Sequence, residues 1–414
     1  MIDIFSRGVV RQGGELAPGD IADNDFPSLK RARDMSPDDL VNIIERSGLT
    51  GKGGAMFPTY RKIELMRRQA SDQKYLVVNG SEHEPGSLKD RYLLKNHPDT
   101  VLEGALILAH AVGASELLIT ITEGDNEAIS AFNAATEAMA WCIGGGSAPV
   151  LVKVVLVPDS YMVGEESALI EVLEGRPSLP RKKPPFPIEE GWRGHPTLVQ
   201  NVETVAHVPF IIAHGVDIYR SLGVNGAGAT LCTFGAEFAN SGVRMIPLGV
   251  SVRELVYRYG GGLHSGKDIK AIQPGGPSAG FLMASQFDIP FLDETLKLAD
   301  SALGCAAIRA FSYDDDMVAV AAEIANFFAD NSCGKCPQCR METRMLSTIM
   351  NQTLAGRGSQ RLLKQIPVII NANVGKGICG LIKMPVGPVL TAIKNFSDEF
   401  DKYLIKEKQI GNGI

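Results

Sequence analysis

The sequence has no run of about 20 uninterrupted apolar residues, the length a bilayer-spanning helix needs. Its most apolar long stretch, Val101 to Thr122, is broken by Glu103, His110 and Glu116. No direct membrane span is expected. Positive charge is not in excess either: 41 lysines and arginines face 47 acids, for a formal charge of -6. That removes the global basic field on which nucleic-acid binding draws, so no nucleic-acid partner is expected. The first residues, Met1 to Phe5, lack a basic segment leading into an apolar core and a cleavage site, and the expected compartment is the cytoplasm. There is no Gly-x-Ser-x-Gly elbow, no Gly-x-x-x-x-Gly-Lys-Ser/Thr loop and no His-Glu-x-x-His helix, which argues against hydrolases and nucleoside triphosphatases. The seven histidines show no ligand spacing.

What is present is enough for several conventional cores. With 414 residues and 45% apolar content, roughly 100 to 200 residues per domain gives two to four domains. Ser36-Pro37-Asp38-Asp39 opens a helix with a hydroxyl cap, an early proline and acids that suit the helix dipole, and Gly48 ends it. A glycine-rich loop from Gly51 to Thr59 follows, leading into a basic helical stretch with Lys62. From Tyr75 the pattern alternates: strand to Asn79, helix Thr100 to Val112, strand Leu117 to Thr122, helix Asn126 to Trp141, strand Leu151 to Val157. Alternation at these lengths predicts a parallel sheet covered by helices. Prolines make 176–187 a stiff connector. A small α+β module is expected over 222–312 and a four-helix bundle over 313–414, with 1–221 as the α/β domain and its N-terminal extension.

Seven cysteines without a visible secretion signal argue for thiols or metal ligands over a disulfide framework. Cys142, Cys232 and Cys305 sit among apolar or small residues and are expected to pack as small hydrophobes. Cys333, Cys336 and Cys339 fall in a Cys-x-x-Cys-x-x-Cys turn, which offers three thiolates to three corners of a cubane. Cys379, alone between glycines before the last helix, is the natural fourth ligand of a 4Fe-4S cluster. Tetrahedral zinc also accepts four thiolates and stays open as the alternative.

The loop Gly51-x-Gly53-x-x-Met56 fails as a dinucleotide fingerprint, because its third glycine is methionine and a helix precedes it. A phosphate or flavin cradle and an ordinary turn both stay open for it; the cradle is favoured by consecutive glycines that let amides approach an anion and by the charge of Lys52 and Lys62. The acids Glu82, Glu84, Glu165 and Glu166 follow presumed strand ends, where parallel sheets bind ligands. Four acids there disfavour a 2′-phosphate and so favour NADH over NADPH.

The ordered motifs Gly51-Lys-Gly-Gly-Ala-Met-Phe-Pro-Thr59, Asn79 to Gly86 with Lys89-Asp90-Arg91, Gly164-Glu165-Glu166, Lys183-Pro-Pro-Phe186-Pro187, Asn201-Val-Glu-Thr204 and Ser332 to Arg340 closely resemble one family. It is the NADH-binding flavoprotein subunit of respiratory complex I, a module that recurs in NAD-linked hydrogenases and formate dehydrogenases. The resemblance covers residues 40 to 405. It implies an α/β flavin-binding domain with a parallel sheet, a small ubiquitin-like α+β module of the SLBB type, and a C-terminal four-helix bundle holding a 4Fe-4S cluster.

Carried over by position, the resemblance places Gly51, Gly53, Gly54, Lys62, Asn79, Glu82, Gly164, Glu165, Asn201 and Thr204 around FMN. Phe57, Glu84, Glu166, Lys183 and Phe186 would face NADH, and Cys333, Cys336, Cys339 and Cys379 would hold the cluster. The chain departs from the family where Ser81 replaces aspartate, Gln200 asparagine, Met56 glycine and Leu65 an aromatic. The implied activity is that of an NADH dehydrogenase: hydride from NADH to FMN, then single electrons through the cluster to a redox partner. The hydride step asks for no acid–base side chain, so no catalytic residue is assigned. One cluster and no membrane span imply a hetero-oligomer, peripheral to a membrane complex where there is one. The partner would be a thioredoxin-like 2Fe-2S protein, a dehydrogenase, a hydrogenase, or another reductase or oxygenase.

Overall fold

The Ser36 hydroxyl accepts the Asp39 amide at 3.1 Å and Gly48 closes the helix at φ 71°, as cap and stop signals require. The structure, a computed structural model, describes residues 4–5, 8–10, 16–18, 26–139 and 150–405. A short hairpin of β1 (Gly8–Val10) and β2 (Leu16–Pro18) precedes α1 (Pro27–Arg33) and α2 (Pro37–Ser47). The glycine stretch then closes on itself: Thr50 pairs with Pro58 in an antiparallel bridge, and the Gly51 amide donates to the Phe57 carbonyl at 2.8 Å. It therefore joins two helices, α2 and α3 (Thr59–Arg67), not a strand and a helix.

Next come β3 (Tyr75–Gly80), α4 (Lys89–Asn96), α5 (Pro98–Val112), β4 (Glu116–Thr122), α6 (Asn126–Ala138), β5 (Leu151–Val157), α7 (Glu166–Leu173), β6 (Thr197–Asn201), α8 (Val202–His214) and α9 (Val216–Ser221). The four strands form one parallel sheet in the order β5-β4-β3-β6. Alternation along β3 sends Leu76 and Val78 to the core beneath α5 and α8, and Tyr75 and Val77 to a second core with Trp192 and Leu169. Both faces of β3 and β4 are covered, which explains why these two strands read as continuous apolar runs; β5, at the edge, leaves Leu151 and Leu156 exposed. The chain extends from β3 to β4 and β5 on one side and returns to place β6 on the other, so the order reverses beside β3. Such a reversal opens a crevice at the carboxyl ends of the strands. The α6 helix ends at Ala138; the expected continuation to Trp141, and Cys142, lie outside the described residues.

Beyond the proline-rich connector the chain forms a mixed sheet, ordered β10-β9-β11-β7-β8. Its strands are β7 (Ala229–Phe234), β8 (Gly242–Pro247), β9 (Ile269–Gln273), β10 (Leu282–Met283) and β11 (Ala307–Ser312), with α10 (Val252–Glu254, continuing through Leu255–Tyr259) and α11 (Asp293–Leu298) alongside. The central β11 runs parallel to β7 and antiparallel to β9. The last region is helical: α12 (Met317–Asp330), α13 (Pro337–Gln352), α14 (Gln360–Asn373), α15 (Val386–Asn395) and α16 (Ser397–Lys402). The last helical stretch breaks between α15 and α16 at Phe396, a buried ring with φ -121°. Among the described residues no helix is long and apolar enough to cross a membrane.

Candidate functional site

The crevice beside β3 widens into a cavity of about 720 Å³, within the usual range for ligand pockets. All the cofactor residues expected from the sequence line it except Thr204. Thr204 is buried behind the glycine loop, where its hydroxyl accepts the Lys52 amide at 2.8 Å and pins the loop to the start of α8. A Cβ on Gly53 would stand 3.3 Å from the Asn201 Cβ, so glycine lets the loop press against β6. Gly54 takes φ +105°, a conformation closed to most L-residues. The expectation that Lys52 adds charge to the cradle is corrected: its side chain is buried outside the cavity lining, and burial depresses its pKa against the opposing pull of Glu203.

The acids serve two purposes. Glu82 accepts the Asp90 amide at 3.1 Å, the Arg91 amide at 2.9 Å and the Ser87 hydroxyl at 2.5 Å, capping α4. Glu165 caps α7 through the Ser167 and Ala168 amides, both at 2.9 Å, and pairs with Lys183 at 2.8 Å. Glu166 lies 2.9 Å from Lys62 and 2.8 Å from Lys183. Burial alone would raise its carboxyl, but the two lysines outweigh that and hold it near 2. Glu84 has no such partner: burial pushes it up to about 7, against hydrogen bonds from Tyr161 and Ser278.

At the cavity floor lies a buried charge cluster whose charged residues Lys89, Asp90 and Glu203 fall within the sequence motifs but carry no role assigned from them. The Lys89 ammonium sits 2.7 Å from Asp90 and 3.1 Å from Glu203. Asn201 caps α8, donates to Asp90 at 2.6 Å and accepts from Lys89 at 3.3 Å. Glu203 also accepts the Leu231 amide at 2.7 Å, which ties the parallel sheet to the mixed one. Burial would raise Glu203, but Lys89 and His207 keep it ionised. A signal exists in the sequence for Glu203, a charge in the otherwise apolar helix α8, but not for Lys89-Asp90, which open the polar helix α4.

The remaining wall comes from other regions. Tyr161 and Met162 follow β5; Ser278, Gly304 and Cys305 come from loops of the mixed sheet; Cys379 to Leu381 and Met384 come from the helical region. Cys305 therefore departs from its expected packing role, since its thiol borders the cavity, whereas Cys232 is fully buried in the mixed-sheet core. Phe57 and Phe186, 41% and 47% exposed, offer open ring faces at the lining, as stacking on a planar ligand requires. Ser81 Oγ, Gln200 Nε2 and Glu84 Oε1 are buried there without hydrogen-bond partners. A buried polar atom left unpaired costs about 1–3 kcal/mol, so a polar, planar ligand with several acceptors and donors fits this wall.

Cys333, Cys336, Cys339 and Cys379 surround a second, small cavity together with Ile378 and Leu381. The Ile378 amide donates to Cys336 Sγ at 3.3 Å, and the Ser332 hydroxyl lies 3.6 Å from Cys339 Sγ. Among the described residues no three such side chains converge on one point as ligands of a single ion do. A cubane does not ask for convergence, because it takes one thiolate per iron. Met162, Cys379 and Leu381 line both cavities, so a cluster ligand is itself part of the larger cavity's wall.

Comparison with known proteins agrees with this geometry. Residues 44–210 match the Nuo51 FMN-binding domain, and residues 319–403 match the NADH-ubiquinone oxidoreductase-F iron-sulfur binding region. The F subunit of the NADH-quinone oxidoreductase of Mycobacterium bovis is 36% identical over 389 residues, spanning 91% of this chain and 86% of the relative. The HndC subunit of the NADP-reducing hydrogenase of Solidesulfovibrio fructosivorans is 31% identical over 413 residues, 97% of this chain and 84% of that one. A crystal structure of an NAD+-reducing [NiFe]-hydrogenase in the H2-reduced state superposes with a TM-score of 0.85 at 30% identity, covering 93% of this chain and 66% of that one.

Proposed function

Because the chain belongs to the family of FMN- and 4Fe-4S-binding subunits that includes the F subunit of NADH-quinone oxidoreductase, we propose that it oxidises NADH in the large cavity and delivers single electrons through the cysteine site to a partner protein. FMN, when bound, supplies the exchange between two-electron and one-electron chemistry, and the cluster carries electrons one at a time. The observation that carries this reading is Cys379, which with Met162 and Leu381 lines both cavities, so that the two share a wall.

Gly51, Gly53, Gly54, Lys62, Asn79, Glu82, Gly164, Glu165 and Asn201 would hold the flavin, Ser81 and Gln200 bring unpaired polar atoms to the same wall, and Thr204 braces the loop. Phe57 and Phe186 would stack on the dinucleotide, and Glu84, Glu166 and Lys183 would bind its polar groups. Cys333, Cys336, Cys339 and Cys379 ligate the cluster. We read the chain as three units, 1–221, 222–312 and 313–414. The middle one is ubiquitin-like: a hairpin, a helix, and a last strand parallel to the first support that reading. The last is a four-helix bundle. The protein acts as a peripheral component of a hetero-oligomer.

Anaerobic mixing of the purified holoprotein with NADH and with NADPH, watching flavin absorbance, tests the reading. NADH should bleach the flavin, and NADPH should do so more slowly by about tenfold or more, as acids facing a 2′-phosphate predict. Bleaching by neither dinucleotide would remove the proposal, and faster bleaching by NADPH would reassign the donor. Iron, sulfide and acid-released flavin analysis of the same sample checks the cofactor set.

A further inference from the structure

The charge of the chain is unevenly spread. From Asp330 to Met384 eight lysines and arginines stand against two acids, leaving 33 against 45 elsewhere. All eight are exposed, while Glu342, one of the two acids, is buried. Among the described residues none of the eight has a carboxylate within ion-pair reach. This region of an acidic protein thus carries exposed positive charge that no ion pair offsets.

Part of that charge flanks the cysteine site: Arg340, Arg344 and Lys376 lie at the cysteine end of α13 and α14, whereas Arg357, Arg361 and Lys364 lie toward the other end, where Gln360 meets Asp401. The α13 helix starts directly after Cys336 and carries Cys339; on the outer side of its first two turns Arg340 and Arg344 alternate with Met341 and Met345, which are 50% and 38% exposed. Val374, 68% exposed, and Lys376 stand in the turn after α14, which the Ile378 amide ties to Cys336 at 3.3 Å. Flexible methionines give adaptable apolar contact, and a rim of cations sets long-range attraction.

We propose that this face docks the electron acceptor, and that the acceptor presents an acidic surface around its own one-electron centre. The inference rests on the electron-transfer reading above and adds the chemistry of the partner. One electron leaves the reduced cluster and reduces the acceptor's metal by one unit; no bond or proton changes hands. Nucleic acid is a poorer occupant, because no Phe, Tyr or Trp lies between Asp330 and Met384 to stack a base. Charge complementarity of this kind acts chiefly on the association rate, which falls as salt rises.

The probe is the acidic haem domain of a b5-type cytochrome, mixed by stopped flow with NADH-reduced full-length holoprotein across ionic strengths, with basic cytochrome c in parallel. The haem domain's bimolecular rate should fall about tenfold or more from low to high salt. The double variant R344E/K376E should lower the low-salt rate by about tenfold and flatten the salt dependence. Its iron content, and its NADH oxidation with the uncharged acceptor menadione, should stay as in the parent. If that variant loses iron, the milder R344Q/K376Q reads the same salt slope. Equal rates and slopes in parent and variant would overturn the docking face, as would faster low-salt reduction of cytochrome c or tighter binding of duplex DNA measured by anisotropy. Loss of menadione activity in the parent would instead remove the electron-transfer reading itself.

Discussion

Glu84 places a carboxyl oxygen without a hydrogen-bond partner in the cavity wall, and burial lifts the group to about 7. A carboxyl raised above its unfolded value of about 4.4 binds more protons folded than unfolded between those two pH values. The stability linked to it is fully present below the unfolded value and is lost as pH rises through about 7. In the cofactor-free chain, the parent should lose on the order of 1–3 kcal/mol relative to E84Q between pH 5 and pH 8. Urea midpoints at the two pH values measure this, and parallel slopes would contradict it. Met56 offers a second test, because it holds φ 52° where the family usually has glycine. A left-handed side-chain residue costs about 1–2 kcal/mol, whereas glycine adds about 0.5–1 kcal/mol of chain entropy to lose. M56G should therefore stay within about 1 kcal/mol of the parent, while M56V, β-branched at the same backbone, should fall below M56G by at least that much. Equal urea stability of the two variants would deny the strained turn.

At the scale of elements, the acids at the strand ends are partly explained without any ligand. Glu165 satisfies two orphan amides of α7 and also meets Lys183, so E165A should cost about 0.5–2 kcal/mol of stability even without cofactors. No change in the urea midpoint of the cofactor-free protein would leave Glu165 with a ligand role alone. Gly104 sits where α5 crosses α8: a Cβ there would lie 2.1 Å from the Val205 carbonyl oxygen. G104A must push the two helices apart, at about 1–3 kcal/mol or more, again read from urea melts. Such close approach was not legible in the sequence, because a glycine within an apolar helix looks like any small core residue. The β3 and β4 strands were legible, since both faces are buried and apolar runs alternate with helical ones, and β5, though an exposed edge strand, was legible from its apolar run alone. β6 was not, because Thr197–Asn201 is short and follows prolines. The cysteine turn was readable because its spacing is chemistry in one dimension. Cys305 was misread because its neighbours, Gly304 and Ala306, are small and uninformative, and only the approach of the mixed-sheet loops brings its thiol to the cavity.

At the scale of the molecule, the large cavity exists because three separately cored regions meet. The glycine loop and strand ends supply one wall, Ser278 and Gly304 a second, and Cys379 with Gly380, Leu381 and Met384 a third. This division predicts how damage to one region propagates. The FMN contacts proposed for the glycine loop are anchored by Thr204 and Asn201 within the parallel-sheet region, independently of the cysteines. C379S removes one thiolate of four and exchanges sulfur for oxygen without adding volume to the shared wall. It should lose most of its iron and sulfide yet keep FMN, keep menadione-linked NADH oxidation within severalfold of the parent, and lose one-electron delivery to a protein acceptor. The split between the two acceptors is the informative readout, because general misfolding would abolish both. Full iron and sulfide in C379S would exclude Cys379 as a ligand, whereas joint loss of FMN and iron would mean that the two cofactor sites form one cooperative structure instead of two pockets sharing a wall.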